Sequence, residues 1–179
     1  MKKSKLLFVL ISCFFVCISC KEKSVSLSDL PSKDIKGNTQ VLVATPSQSE
    51  IYIEFDATNE RYIETEKSYT LNNLAHTGYL AGKTSLQKVI VLGETAQTGK
   101  LVSALPIGLI RFNSEKQTTD WPVFADVNSE ICSMEDFLLN HHPLKIALQT
   151  KLKINEDEEN PKITWFDEAF LEMKIEEVL

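Results

Sequence analysis

The chain has 179 residues, of which 43% are hydrophobic, and its formal net charge is −6. This length suits one domain with a proper core and is short for two. The charge balance is acidic and the sequence shows no cluster of basic residues. Nucleic acids and anionic membranes are bound through clustered basic surface, so we expect neither as a partner of the folded domain.

The first 19 residues predict a secretory signal, because three lysines among the first five residues precede the apolar run LLFVLISCFFVCI. That run is shorter than the ~20 residues that span a bilayer. Ser19 before Cys20, followed by the polar sequence KEKS, resembles a bacterial lipoprotein signal. The resemblance implies cleavage before Cys20 and a lipid on that sulfur. We therefore expect a protein of the bacterial cell envelope, at the outer membrane or facing the periplasm, anchored to the membrane at Cys20.

Residues 20–38 are polar and contain Pro31 and Gly37, which predicts a tether between the anchor and a folded domain over residues 39–179. Once Cys20 carries a lipid, Cys132 has no cysteine left to pair with. We expect its side chain to be small, apolar and buried rather than reactive.

The centre of the chain is rich in β-forming residues. An apolar run over residues 88–92 ends at Gly93, and turn-forming residues lead to a second run over 100–105. Pro106 cannot donate to a sheet ladder, so it predicts an edge or a bulge before a strand over 107–112. Taken alone, these patterns predict only a small α+β domain.

Upstream, residues 40–44 and 50–56 predict two strands joined as a hairpin. In the second strand, alternation places Ile51, Ile53 and Phe55 on one face.

Downstream, helices are expected. Ser133 and Asp136 have the spacing of a helix cap, and Pro143 suits the first turn of a second helix. A terminal helix over residues 167–179 would cover the domain with an apolar stripe that includes Phe170.

The sequence KVIVLGETAQTGKLVSALPIGLIRFN, residues 88–113, resembles the soluble family I inorganic pyrophosphatases. Weaker similarity extends over residues 41–178. The resemblance implies a small five-stranded OB-like β-barrel with C-terminal helices packed outside. It also implies a reaction, the Mg²⁺-dependent hydrolysis of diphosphate to two phosphates.

Three residues match the family's site residues and are candidate remnants of it: Glu54, Tyr79 and Asp120. Asp120 matches only after a one-residue insertion. Glu54 has an equally good alternative interpretation as an outward charge on an amphipathic strand.

The family's metal-binding aspartates have no counterpart, since their three positions hold Lys83, Ser85 and Lys88. Mg²⁺ requires oxygen ligands, which carboxylates supply and lysine does not. A lysine ammonium could instead neutralise Glu54 or Asp120. We therefore expect no cofactor, with Mg²⁺ bound only if activity is retained.

The cations that grip phosphate are also missing, because Tyr52 and Pro122 replace two lysines of the family and Leu105 replaces an arginine. The sequence thus predicts a lipid-anchored, non-catalytic relative of the pyrophosphatases. Three alternatives remain open: residual diphosphatase activity, binding of a protein partner through the acidic surface, and binding of a solute at the barrel mouth.

Overall fold

A computed structural model describes residues 26–56, 58–68, 75–83, 86–93, 96–113, 118–155 and 162–171. Within these ranges, the strands and helices follow in this order: β1 Thr39–Thr45, β2 Ile51–Asp56, β3 Arg61–Ser68, β4 Ala75–Leu80, β5 Lys88–Leu92, β6 Leu101–Asn113, β7 Thr118–Asp126, α1 Met134–Asn140, α2 His142–Asn155 and β8 Lys162–Phe166.

Five strands form a closed barrel. Their order is β1-β4-β5-β7-β6, and an additional pairing between β1 and β6 completes the ring. β5 and β7 are parallel, whereas the other neighbours in the ring are antiparallel. The predicted α+β fold, a five-stranded OB-like barrel with helices after it, is confirmed.

β6 is one strand of 13 residues, where the sequence predicted two. It pairs with β7 along its length, and the register shifts between Pro106 and Gly108. Ile107 is the extra residue, so the bulge predicted at Pro106 is present. Before the bulge β6 bonds to β1, and after it to β8, over Leu109–Asn113.

The predicted hairpin between the first two strands is wrong, because β2 pairs with β3 in a separate two-stranded sheet. β1 reaches β2 through a side chain instead. The hydroxyl of Thr45 donates to the carbonyl of Ile53 at 2.7 Å and accepts from its amide at 2.9 Å. The predicted face of β2 also fails at its first residue, since Ile51 lies beyond a register shift and is exposed.

Apolar residues pack on both sides of the barrel wall. The interior holds side chains from all five strands, among them Val41, Val89, Val102 and Phe124. A larger cluster covers the outer face beneath the helices, with Ile90, Ile110 and Trp121 packed against Phe137 and Leu148. The part of the outer barrel surface that the helices do not cover is therefore available to polar side chains.

The helical predictions hold where they can be tested. Ser133 caps α1 by accepting from the amide of Asp136 at 3.0 Å, and α2 begins one residue before Pro143. Residues 168–171 begin a helical turn, and the rest of the predicted terminal helix lies outside the described residues. The sequence did not predict β8, whose Trp165 packs its ring 5.6 Å from that of Phe137.

The described part of the predicted tether contacts the barrel. Leu27 is buried beside Leu42 and Phe55, and the amide of Gln40 donates to the carbonyl of Ser32 at 2.9 Å. Cys132 is exposed, contrary to the expectation that it is buried, because it precedes the cap of α1. In the ranges described, no helix is both long and apolar enough to cross a membrane.

The close approach of β1 and β4 depends on Gly78. A Cβ atom at this position would collide with the carbonyl oxygen of Leu42 and lie 2.9 Å from a methyl group of Val41. Because both atoms belong to the packed barrel, we expect Gly78→Ala to lower the free energy of unfolding by about 3 kcal/mol.

Urea denaturation monitored by circular dichroism measures this loss. Gly37→Ala is the matched control, since its added Cβ meets no atom within 4 Å and only its φ of +87° opposes the change. The control is expected to lose about 1 kcal/mol. Equal losses in the two variants would contradict the close approach.

Candidate functional site

Polar and aromatic side chains gather on the outer wall of the barrel, beneath the β2–β3 hairpin. Tyr79 on β4 lies directly opposite Lys88 on β5, so their side chains share one face. In the parallel pairing, Ile90 lies opposite Val123, which places Lys88 beside Trp121 on β7. The hairpin supplies Tyr52 and Glu54, which share a face of β2 because they are two residues apart.

Lys88 and Glu54 form an ion pair at the centre of this group. The Nζ atom of Lys88 donates to Oε1 of Glu54 at 2.7 Å, across a gap between the barrel wall and the hairpin. The two side chains are 31% and 43% exposed, so solvent reaches the pair without separating it. Lysine thus neutralises Glu54, as the sequence suggested it could.

Two aromatic rings flank the same ammonium. Nζ of Lys88 lies 5.1 Å from the centroid of the Tyr52 ring and 5.6 Å from that of Trp121. Cations are attracted to ring faces at such distances, with a contribution of ~0.5–2 kcal/mol each. The ammonium is therefore held by one carboxylate and two ring faces.

The pKa values follow from this packing. Burial alone would lower the pKa of Lys88, but Tyr52 and the hydrogen bond to Glu54 together raise it above its ordinary value. Burial raises the pKa of Tyr52, an effect that the neighbouring Lys88 opposes only in part. At neutral pH, Lys88 is therefore a cation and Tyr52 a neutral hydrogen-bonding group.

Tyr79, the third candidate remnant, is buried beside this group. Its hydroxyl oxygen accepts from the amide of Phe55 at 3.2 Å, and its ring lies 6.1 Å from the ring of Phe55. Burial raises the pKa of Tyr79. The hydroxyl therefore links β4 to the hairpin and stabilises the position of Glu54.

Asp120 does not join this group. It precedes Trp121 on β7, so its side chain points to the opposite face of the strand. There it accepts two hydrogen bonds from Arg111, at 2.7 Å from Nε to Oδ1 and 2.7 Å from Nη2 to Oδ2. The structure thus brings Glu54 and Tyr79 together with Lys88, and places Asp120 elsewhere.

The remaining predicted positions contribute little that is described. Lys83 is half-buried in the segment after β4, and no ion pair of its side chain is found in the described part of the chain. Ser85 and Cys20 lie outside the described residues. Leu105, at the position of the family's arginine, is exposed on β6.

Sequence reasoning missed Trp121 and Arg111. Trp121 lies two and four residues before Val123 and Ala125, so alternation along β7 places all three side chains on the same face, the buried outer face. Arg111 and Asp120 carry opposite charges and lie directly opposite each other on the antiparallel strands β6 and β7, where cross-strand pairs form. Both signals were present in the sequence.

Solved structures of inorganic pyrophosphatases superpose on this chain. The Neisseria gonorrhoeae protein has a TM-score of 0.64 at 15% identity, over 86% of this chain and 96% of the other. The Thermus thermophilus protein has a TM-score of 0.60 at 16% identity, over 81% and 91%. The chain has the fold of the inorganic pyrophosphatases.

The type I inorganic pyrophosphatase from P. falciparum has a TM-score of 0.63 at 14% identity. It aligns with 83% of this chain, which spans 60% of the length of that protein. The sequence matches no protein-family model, and no curated protein matches it significantly.

The residues on this wall do not fit the magnesium ions that the resemblance implies. Glu54 is neutralised by Lys88, and Asp120 lies on another face with Arg111. Among the described residues, no three His, Cys, Asp or Glu side chains come close enough to share a metal ion. A cation site needs several oxygen ligands of net negative charge, whereas the described residues of this wall present an ion pair of net charge zero.

The Lys88–Glu54 pair is expected to stabilise the hairpin on the barrel. A double-mutant cycle with Lys88→Met and Glu54→Gln should give a coupling free energy of about 1 kcal/mol, because the pair is close and partly buried. Urea unfolding of the four proteins at neutral pH measures the coupling.

The matched control is the ion pair of Arg61 and Asp56 on the same hairpin. Its atoms are 3.9 Å apart and the Arg61 side chain is 68% exposed, so its coupling should be about 0.3 kcal/mol or less. A coupling for Lys88–Glu54 no larger than this control would contradict the stabilising role.

Proposed function

We propose that this protein is a non-catalytic relative of the inorganic pyrophosphatases, held at a bacterial membrane by a lipid on Cys20. The observation that carries the proposal is the ion pair of Lys88 and Glu54. By the resemblance, Lys88 stands at a position of a metal-binding aspartate. A lysine at this position puts a cation where the family has a metal-binding carboxylate, at the centre of the wall.

Electrostatics support the loss of metal binding. Two unit charges of the same sign about 4 Å apart repel by ~4 kcal/mol at an effective dielectric constant near 20, and a divalent ion doubles this. An ammonium that stays charged at neutral pH therefore opposes Mg²⁺ at the same place. The ammonium also binds Glu54, the carboxylate on this face that matches a site residue of the family.

The chemistry of diphosphate hydrolysis has two requirements. Metal ions must generate a hydroxide nucleophile, and cations must stabilise the charge on the leaving phosphate. Here the carboxylate face is neutralised, and the positions of the phosphate-gripping cations hold Tyr52, Leu105 and Pro122. Tyr52 is buried against Lys88, so it does not replace the lost charge.

The first test is phosphate release from pyrophosphate by the full chain, purified in detergent, with Mg²⁺ and then with Mn²⁺. We expect release no faster than the buffer blank, while an active inorganic pyrophosphatase in the same detergent serves as the positive control. Turnover clearly above the blank would overturn the proposal.

A variant with Lys83→Asp, Ser85→Asp and Lys88→Asp belongs beside the natural chain in this assay. Both proteins are first compared by circular dichroism and thermal unfolding to establish that they are folded. Phosphate release by the variant, but not by the natural chain, would tie the loss of activity to these three positions.

The anchor is tested separately. Cys20→Ser is expected to abolish incorporation of labelled fatty acid, because the predicted acceptor sulfur is removed. Cys132→Ser is the matched control and should incorporate label as the natural chain does. Incorporation into Cys20→Ser equal to that of the natural chain would contradict the anchor.

A further inference from the structure

A pocket opens at one end of the barrel. It shares no lining residue with the group of Tyr52, Glu54, Tyr79, Lys88 and Trp121, called the Lys88 wall below. Its volume is about 370 Å³, and its rim consists of residues before β1, at the start of β6 and at the end of β7. The start of β1 and the end of β7 lie on either side of Ala104 near the start of β6, because Ala104 pairs with Thr39 on one edge and with Asp126 on the other. The volume lies within the range of small-molecule sites.

The floor of the pocket is apolar. Ala96 and Val102 line it, and each is only 6% exposed. Both residues belong to the apolar cluster that fills the barrel interior, together with Val41 and Phe124. A solute in the pocket would therefore rest on the end of the buried barrel core.

One wall is braced by Asp34. Its carboxylate accepts from the amide of Lys36 at 2.8 Å, from the amide of Asn38 at 2.9 Å and from Nδ2 of Asn38 at 2.9 Å. The side-chain hydrogen bond from Asn38, with those from its own turn and from Ser103, lowers the pKa of Asp34 to about 2. Asp34 is ionised at neutral pH, and its hydrogen bonds order the turn that carries Lys36.

A second wall is braced by Asp126. Its Oδ1 atom accepts from the amide of Asn128 at 2.8 Å and from Nδ2 of Asn128 at 3.0 Å. Gly93 packs against the Cβ atom of Asp126 and leaves no room for a side chain of its own. The rim is thus ordered before any ligand arrives, which reduces the entropy lost on binding.

Three polar groups of this rim are left for a ligand. The exposed ammonium groups of Lys36 and Lys100 have no hydrogen bond or ion pair within the described ranges, and Oδ2 of Asp126 accepts none there. Two ammonium groups favour an anionic oxygen group, and a free carboxylate oxygen favours a donor. No aromatic ring is among the described lining residues, so the pocket offers no platform for stacking a sugar or a base.

We propose that this pocket binds a small solute that carries one carboxylate or phosphate group beside a hydroxyl or ammonium donor. The lysines contact the anionic group, Asp126 accepts from the donor, and the apolar floor packs against the carbon atoms between them. The site is independent of the Lys88 wall, so either proposal can fail without the other.

Binding is tested by NMR titration of the full chain in detergent, following the backbone amides of Gly37, Gly99 and Asn128. The probes are glycerol 3-phosphate, serine and, as the neutral match, glycerol. We expect saturable shifts with glycerol 3-phosphate or serine and none with glycerol. Binding of glycerol 3-phosphate would identify a phosphate as the anionic group, and binding of serine would identify a carboxylate.

Lys100→Gln should weaken the binding about tenfold, as expected for loss of one charge-assisted hydrogen bond. Lys162→Gln is the matched control, since Lys162 is an exposed lysine on β8 outside the pocket, and its affinity should equal that of the natural chain. If Lys100→Gln does not fold, Lys36→Gln takes its place. The proposal is overturned if no probe gives saturable shifts at these amides, if glycerol binds as well as the charged probes, or if neither lysine variant lowers the affinity.

Discussion

β6 is the strand on which the barrel depends, because it uses one edge for two different partners. Its first half bonds to β1 and closes the ring, and its second half bonds to β8. The change of partner occurs at the bulge, where Gly108 brings the backbone against the carbonyl of Phe166 and the side chain of Met134. A side chain at Gly108 would separate β6 from both β8 and α1, so the attachment of β8 and the packing of the first helix depend on the same residue.

The closed ring also decides which side chains meet on the outer wall. Tyr79, Lys88 and Trp121 lie on three adjacent strands of fixed register, so their relative positions follow from the backbone pairing. Glu54 comes from outside the ring, and the hydroxyl of Tyr79 holds its strand through the amide of Phe55. The backbone fixes where residue 88 lies, and its side chain, together with that of Glu54, sets the charge at that place.

Local signals in the sequence predicted the features that local chemistry controls. The apolar run of β5, the bulge beside Pro106 and the cap at Ser133 all lie where the residue types require them. Pairing between distant segments was harder. β3 has the mixed sequence RYIETEKS and β8 has only five residues, so neither carries a strong pattern of its own.

The position of Asp120 depends on strand alternation. Successive side chains on a strand point to opposite faces, so an alignment that shifts by one residue transfers every side chain to the other side of the wall. Asp120 was matched through a one-residue insertion, and the structure places its neighbour Trp121 on the face of Glu54 instead. Glu54 was assigned without an insertion, and its side chain does lie on that face.

A wall that binds metal ions concentrates carboxylates whose mutual repulsion is relieved only when the ions are present. Among the described residues of this barrel, Lys88 is paired with Glu54 on one face, and Arg111 with Asp120 on the other. Arg111 also lies 5.2 Å from the ring centroids of both Phe166 and Phe170, so its charge holds β8 and the turn after it in place. The apolar clusters of the barrel do not include these four charged residues, and the barrel can therefore keep its packing while its surface chemistry changes. The shared fold therefore fixes the packing of the barrel, whereas the charge of this part of its surface depends on individual side chains such as Lys88.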